Sequence, residues 1–95
     1  MRNSYLVCYD IADPKRWRQV HKMMLGHGDP VQLSVFLCEL SPVEHQVLLA
    51  RLHDALNHAE DALAVVDLGP VATGAARVTT FGIVRWESGK RVLVV

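Results

Sequence analysis

Residues 5–16 read YLVCYDIADPKR, a strand-forming run that stops on an aspartate and passes at once into a basic segment opened by proline. In an extended chain Tyr5, Val7 and Tyr9 point one way and Leu6 and Cys8 the other, so this strand has no polar face. Asp10 interrupts it, because an acidic residue is a poor strand former and costly to bury without a partner. It is therefore either a solvated strand end or a placed carboxylate. Asp13 and Pro14 have the form of a helix cap and a first helical residue. At about 100° per residue, Trp17, Val20 and Met24 fall on one side of that helix and Lys15, Arg18 and Lys22 on the other. GHGD, 26–29, is expected to end it, with glycine supplying a left-handed cap.

Moving outward, PVQLSVFLCEL, 30–40, is strand-like again. Val31, Leu33, Val35 and Leu37 form one face; Phe36, Cys38 and Leu40 join Gln32 and Ser34 on the other. SPVE, 41–44, is a capping-box pattern with proline at the first helical position. The helix it opens is expected to bury Leu48, Leu49, Leu52, Ala55 and Leu56 and to expose Gln46, Asp54 and Asn57. ALAVVDL, 62–68, is a third strand, apolar on both faces. GPVATGAA, 69–76, breaks the pattern. RVTTFGIV, 77–84, and RVLVV, 91–95, are two more strand candidates around the turn WESGK. Two helices can cover one face of a small sheet, yet the main strands are apolar on both. A second copy of the chain is expected to cover the other face.

Ninety-five residues, 51% of them hydrophobic, suffice for one domain with one core and exclude a disordered chain. No apolar stretch reaches the roughly 18 residues of a membrane span. The first ten residues lack the pattern of a secretory signal, which implies the cytoplasm. Cys8 and Cys38 lie in apolar runs without a CxxC pattern and read as buried thiols. The five histidines show no metal-ligand spacing, and the glycines form no phosphate loop. The formal charge of zero hides an asymmetry. Residues 1–38 carry a net +2, residues 39–67 a net −5 with Arg51 as their one cation, and residues 68–95 a net +3. A polyanion feels the local field and not the sum.

Taken in order and spacing, YLVCYDIADPKRWRQVHKMM, GDPVQLSVFLCELS, a helix and DALAVVDLG resemble the small CRISPR-associated protein two family, whose members act beside the CRISPR integrase in acquiring spacers. The resemblance covers about residues 4–69, and the tail RVTTFGIVRW…RVLVV is similar to the family's strand that crosses to a partner subunit. It implies an α+β, ferredoxin-like βαββαβ sandwich: a single domain over 1–95, with a core of about 4–69 and a dimer-exchange tail of about 70–95. It also implies a homodimer and a metal-dependent nuclease. That fold has two strands between its helices, whereas 30–40 contains no pair of turn residues. Either the stretch bends near 32–34 into a very short strand and a longer one, or the periodicity conceals the break.

Asp10 matches the family's metal-binding aspartate. A carboxylate is a hard ligand suited to Mg²⁺, which could polarise a phosphate and help generate a hydroxide. Two copies of Asp10 facing each other across a dimer axis would make a fuller site than one. Tyr9, Ser34 and Phe36 match positions beside it, although pleat partners in a buried strand would look the same. Asp13 is a second ligand or simply the helix cap. No acid intervenes between residues 14 and 28, so Lys15, Arg16, Arg18 and Lys22 form a candidate surface for a nucleic-acid backbone. A solvated helix face is the alternative, and the family often has basic residues where Trp17 and Gln19 stand here. Two functions within the family follow. One is a Mg²⁺-dependent endonuclease acting on single-stranded RNA or on DNA. The other is a non-catalytic dimeric adapter that binds duplex DNA and bridges integrase subunits. Outside it stand a related RNA-cleaving toxin and a small-molecule regulatory domain, the latter having no need of the positive helix.

Overall fold

The opening apolar run forms β1 (Asn3–Asp10), and α1 (Pro14–Leu25) follows three residues later. Both belong to a computed structural model that describes residues 1–85 and 91–93. Asp13 caps α1: its carboxylate accepts the Arg16 N–H at 2.9 Å, and Pro14 opens the first turn. That local task accounts for Asp13 fully. The other end of α1 differs from expectation. Gly26 closes it in right-handed geometry, at φ −82°, and Gly28 already belongs to β2 (Gly28–Gln32). Gly28 is needed for closeness and not for handedness. A Cβ there would lie 2.5 Å from the Leu37 carbonyl oxygen and 2.6 Å from the Cys38 sulfur.

The long run at 30–40 does divide, into the end of β2 and β3 (Val35–Leu40), around a turn at Leu33 and Ser34. Hydrogen bonds from outside the hairpin hold this turn. The Tyr9 N–H donates to the Ser34 carbonyl at 3.0 Å, and the Trp17 indole N–H donates to the Ser34 hydroxyl at 2.8 Å. α2 (Pro42–Ala55) opens with the expected reciprocal capping box of Ser41 and Glu44. It buries Leu48 and Leu52 and half-buries Ala55 and Leu56, but Leu49 stays exposed. β4 (Ala62–Pro70) runs two residues past its expected end. Gly69 then takes φ +86° and leads into the short α3 (Val71–Gly74) and a 3-10 turn, Ala75–Arg77. The tail strand expected from 77 begins only at β5 (Ile83–Arg85), which pairs antiparallel with β6 (Arg91–Leu93). The WESGK turn lies outside the described residues.

The four-stranded sheet has the order β2-β3-β1-β4, antiparallel throughout. With its βαββαβ chain order this is the ferredoxin-like arrangement. One sheet face, formed by Tyr5, Val7, Tyr9, Phe36, Cys38 and Leu40, packs against Val20, Met24, Leu48 and Leu52 of the helices. The other face carries Leu6, Cys8, Val35 and Leu37, all half-buried, and the exposed Ala64 and Val66. Gly74 of α3 closes one end of it by packing on the buried Ser4, where a Cβ would come within 2.5 Å of the serine Cβ. Among the described residues nothing covers the stretch between Ser4 and Asp10. Fully burying a large aliphatic side chain contributes about 1.5–3 kcal/mol, so a row left half-exposed forgoes a good part of what it could add. No helix among the described residues is long and apolar enough to cross a membrane.

Candidate functional site

Alternation along β1 puts Asp10 on the same side as Leu6 and Cys8, at the end of the uncovered face. β1 is a central strand, so Asp10 is held between Ala62 of β4 and the 33–34 turn. Its side chain is exposed and borders an open concavity of about 460 Å³, lined also by Cys8, Gln32, Ser34, Ala62 and Ala64. A charged group is tolerated here because the sheet ends and solvent begins.

The segment beyond Asp10 is pinned from a distance. Asp61 accepts the Ala12 N–H at 3.0 Å, the Asn57 N–H at 2.9 Å and a two-point contact from Arg16, through Nε at 2.6 Å and Nη2 at 3.0 Å. The Asp61 side chain is fully shielded from solvent, and Glu60 adds a second contact to Arg16 at 3.1 Å. The Arg16 hydrogen bond, foremost, holds the Asp61 carboxyl well below the usual carboxylate range. Its contribution to stability is therefore complete above about pH 4, the unfolded value, and is lost as pH falls through the folded one. Asp61→Asn is expected to lower the denaturation midpoint at neutral pH and to flatten its acid decline below about pH 4. A variant whose acid profile overlays the wild type would remove this assignment.

The expected site residues separate into two layers. Asp10 and Ser34 border the same concavity. The side chains of Tyr9 and Phe36 lie on the opposite, helix-covered face. There the Tyr9 hydroxyl meets His21 Nδ1 at 3.0 Å, Trp17 stacks on His21 with ring centres 4.5 Å apart, and Phe36 packs edge-on to His21. Burial pushes the Tyr9 phenol up, keeping it protonated. The thiols follow suit: burial and then Asp29 push Cys38 up to about 11, and burial raises Cys8. Of the basic run, Lys15, Arg18 and Lys22 are exposed, whereas Arg16 is engaged by Asp61.

Asp61, Trp17 and His21 were not singled out as site residues by sequence. His21 stands four residues after Trp17 and one after Val20, so helical periodicity already placed it inward. Asp61 offers no such signal, because the partners that tie it to the α1 entry, Arg16 and Ala12, lie 45 and 49 residues away.

One protomer offers a metal little. Among the described residues no three or more His, Cys, Asp or Glu side chains are grouped to hold an ion. Mg²⁺, however, is commonly bound by one or two carboxylates while keeping several waters. An exposed carboxylate beside open space fits half of such a site.

The family model described as CRISPR associated protein Cas2 matches residues 3–72. A protein named CRISPR-associated endoribonuclease Cas2, from Geobacter sulfurreducens, is 39% identical over 82 residues, covering 86% of both chains. A Rhodospirillum rubrum protein, named CRISPR-associated endoribonuclease Cas2 1, is 47% identical over 68 residues, covering 72% of this chain and 67% of its own. Among solved structures, Streptococcus pyogenes Cas2 superimposes with a TM-score of 0.74 at 33% identity, covering 83% of this chain and 99% of that one.

Proposed function

Because the chain belongs to the CRISPR-associated Cas2 family, we propose that it is a homodimeric, metal-dependent endonuclease of CRISPR spacer acquisition with Asp10 as its metal-binding carboxylate. One observation carries this reading: Asp10 is the only charged side chain of β1, it follows Leu6 and Cys8 on the uncovered face, and it borders an open concavity. Two chains packed through those faces would bury the apolar rows and bring their Asp10 carboxylates toward a common axis. Asp10 and its copy would hold the Mg²⁺, which when bound supplies Lewis-acid polarisation of a phosphodiester and a more acidic water. The chain's own contribution is to fix the two carboxylates through β1 and the Asp61 clasp. Lys15, Arg18 and Lys22 position the backbone of single-stranded RNA or of DNA, while Arg16 keeps the α1 entry in place. The core of about 4–69 bears this site, and the tail of about 70–95 is assigned to dimer exchange. The CRISPR integrase is the assembly partner, in the cytoplasm.

The second reading, a non-catalytic DNA-binding adapter, draws on the exposed lysine-arginine face and on the thinness of a site with one carboxylate per chain. Labelled single-stranded RNA incubated with the wild type, with Mg²⁺ or with a chelator, decides between them. Cleavage in the Mg²⁺ arm alone is the expected result. Intact RNA in both arms, and intact labelled duplex DNA in a parallel pair of arms, from a dimer that still binds that DNA, would end the nuclease reading and leave the adapter.

A further inference from the structure

α1 and α2 lie side by side on the sheet, and at the C-terminal end of α1 they frame a concavity of about 520 Å³ lined by Gln19, Lys22, Met23, Gly26, His27 and Arg51. We propose that this cleft is a second phosphate-binding site, which takes a phosphodiester of the same nucleic-acid backbone that runs along Lys15 and Arg18. The inference rests on the basic face of α1 being a nucleic-acid surface, and extends it onto a second helix.

Arg51 is the sole cation between residues 39 and 67, among six acidic residues. It stands inside α2, away from the helix end where a cation would answer the helix dipole. Among the described residues neither Arg51 nor Lys22 has a hydrogen-bond or ion-pair partner, whereas Arg16 and Arg2 do. Two unpaired cations from different helices thus meet over one cleft. Like charges set together disfavour each other unless an anion joins them.

A helix C-terminus ordinarily repels anions, and here that repulsion is muted. The Met23 carbonyl accepts the Gly26 N–H at 3.1 Å and the His27 ring at 2.9 Å, and the Met24 carbonyl accepts the His27 N–H at 2.9 Å. Because a carbonyl only accepts, His27 Nδ1 carries the proton, leaving Nε2 as the ring's other polar atom. Gln19 adds a neutral donor. From Lys15 to Lys22 the helix advances about 10 Å, which matches about three steps of roughly 3.4 Å along the axis of a duplex. A backbone tracking the exposed face therefore arrives at this cleft.

A salt series with a labelled 30-base-pair duplex tests the proposal on the full-length protein. Arg51→Gln is expected to weaken binding several-fold at about 0.15 M salt and to make the log–log slope shallower by about one for each subunit in contact. Arg51→Lys, which keeps the charge, should recover most of that slope, and the thermal midpoint should not move in either variant. The double variant Lys15→Gln/Arg18→Gln probes the basic face alone. Loss in the double variant with wild-type affinity and slope in Arg51→Gln would overturn the cleft and leave the face standing. Loss in Arg51→Gln with wild-type affinity and slope in the double variant would overturn the basic face, and with it a backbone that runs from that face into the cleft.

Discussion

Asp10→Asn is expected to abolish Mg²⁺-dependent cleavage, a loss on the order of a hundredfold or more if removing a metal-holding group costs at least what removing a general acid or base does. Asparagine keeps the size and shape of the side chain and removes only its charge. Asp10 is exposed and has no ion-pair partner among the described residues, so fold and duplex affinity should stay near wild type. In a face-to-face dimer two Asp10 carboxylates repel when no cation lies between them. The variant dimer should therefore be at least as stable without metal, and the rise in thermal midpoint that Mg²⁺ gives the wild type should vanish. That second readout does not depend on turnover. Asp13→Asn is the control, because asparagine caps a helix about as well as aspartate. Equal cleavage by Asp10→Asn and the wild type would return Asp10 to a solvated strand end.

Leu37→Lys should turn the dimer into a monomer. Leu37 lies mid-strand on the uncovered face, opposite Leu6 in the β1–β3 register. A lysine there would set a charge among Leu6, Cys8 and Val35, with the exposed Glu39 at the end of β3 as the strand's one acidic residue. The helix-covered core is untouched, so helical content and cooperative unfolding should persist while sedimentation at micromolar concentration reports one chain. Cleavage should disappear with the paired carboxylates. The salt slope for duplex DNA should fall from on the order of −5, for about six lysine and arginine contacts over two subunits, to about half that. A wild type already monomeric at micromolar concentration would remove the shared Asp10 site along with the interface.

Much of the fold was legible because its signals are local. Alternation along residues 5–9 located both faces of β1, and the Asp13-Pro14 and Ser41-Glu44 patterns marked the helix starts that are observed. The uncovered face was legible for the same reason, since a strand apolar on both sides announces a need for cover. What failed to show depended on contacts across the chain. Gly28 looked like a cap residue because sequence cannot display the Leu37 carbonyl pressed against it. Leu49 was expected inside, yet it lies at the edge of the face that buries Leu48 and Leu52 and stays exposed. In the candidate site, Asp10 and the exposed cations were visible by residue type and spacing. The commitment of Arg16 to Asp61 was not, because that pair joins a helix start to a strand start 45 residues on.

The turn at Leu33 and Ser34 bears on the order in which the molecule assembles. It contains no glycine, asparagine or aspartate, and no non-glycine residue among those described takes positive φ. A hairpin with such a loop gains little from its own turn, whereas a favourable turn lets a hairpin close within microseconds. Its anchors are the Tyr9 amide and the Trp17 indole, which belong to the preceding strand and helix. The β2–β3 hairpin is thereby made a late event, waiting on α1 to dock, and its contacts should be weakly formed at the rate-limiting barrier. The wall of the Asp10 concavity would then be among the last parts of the chain to set.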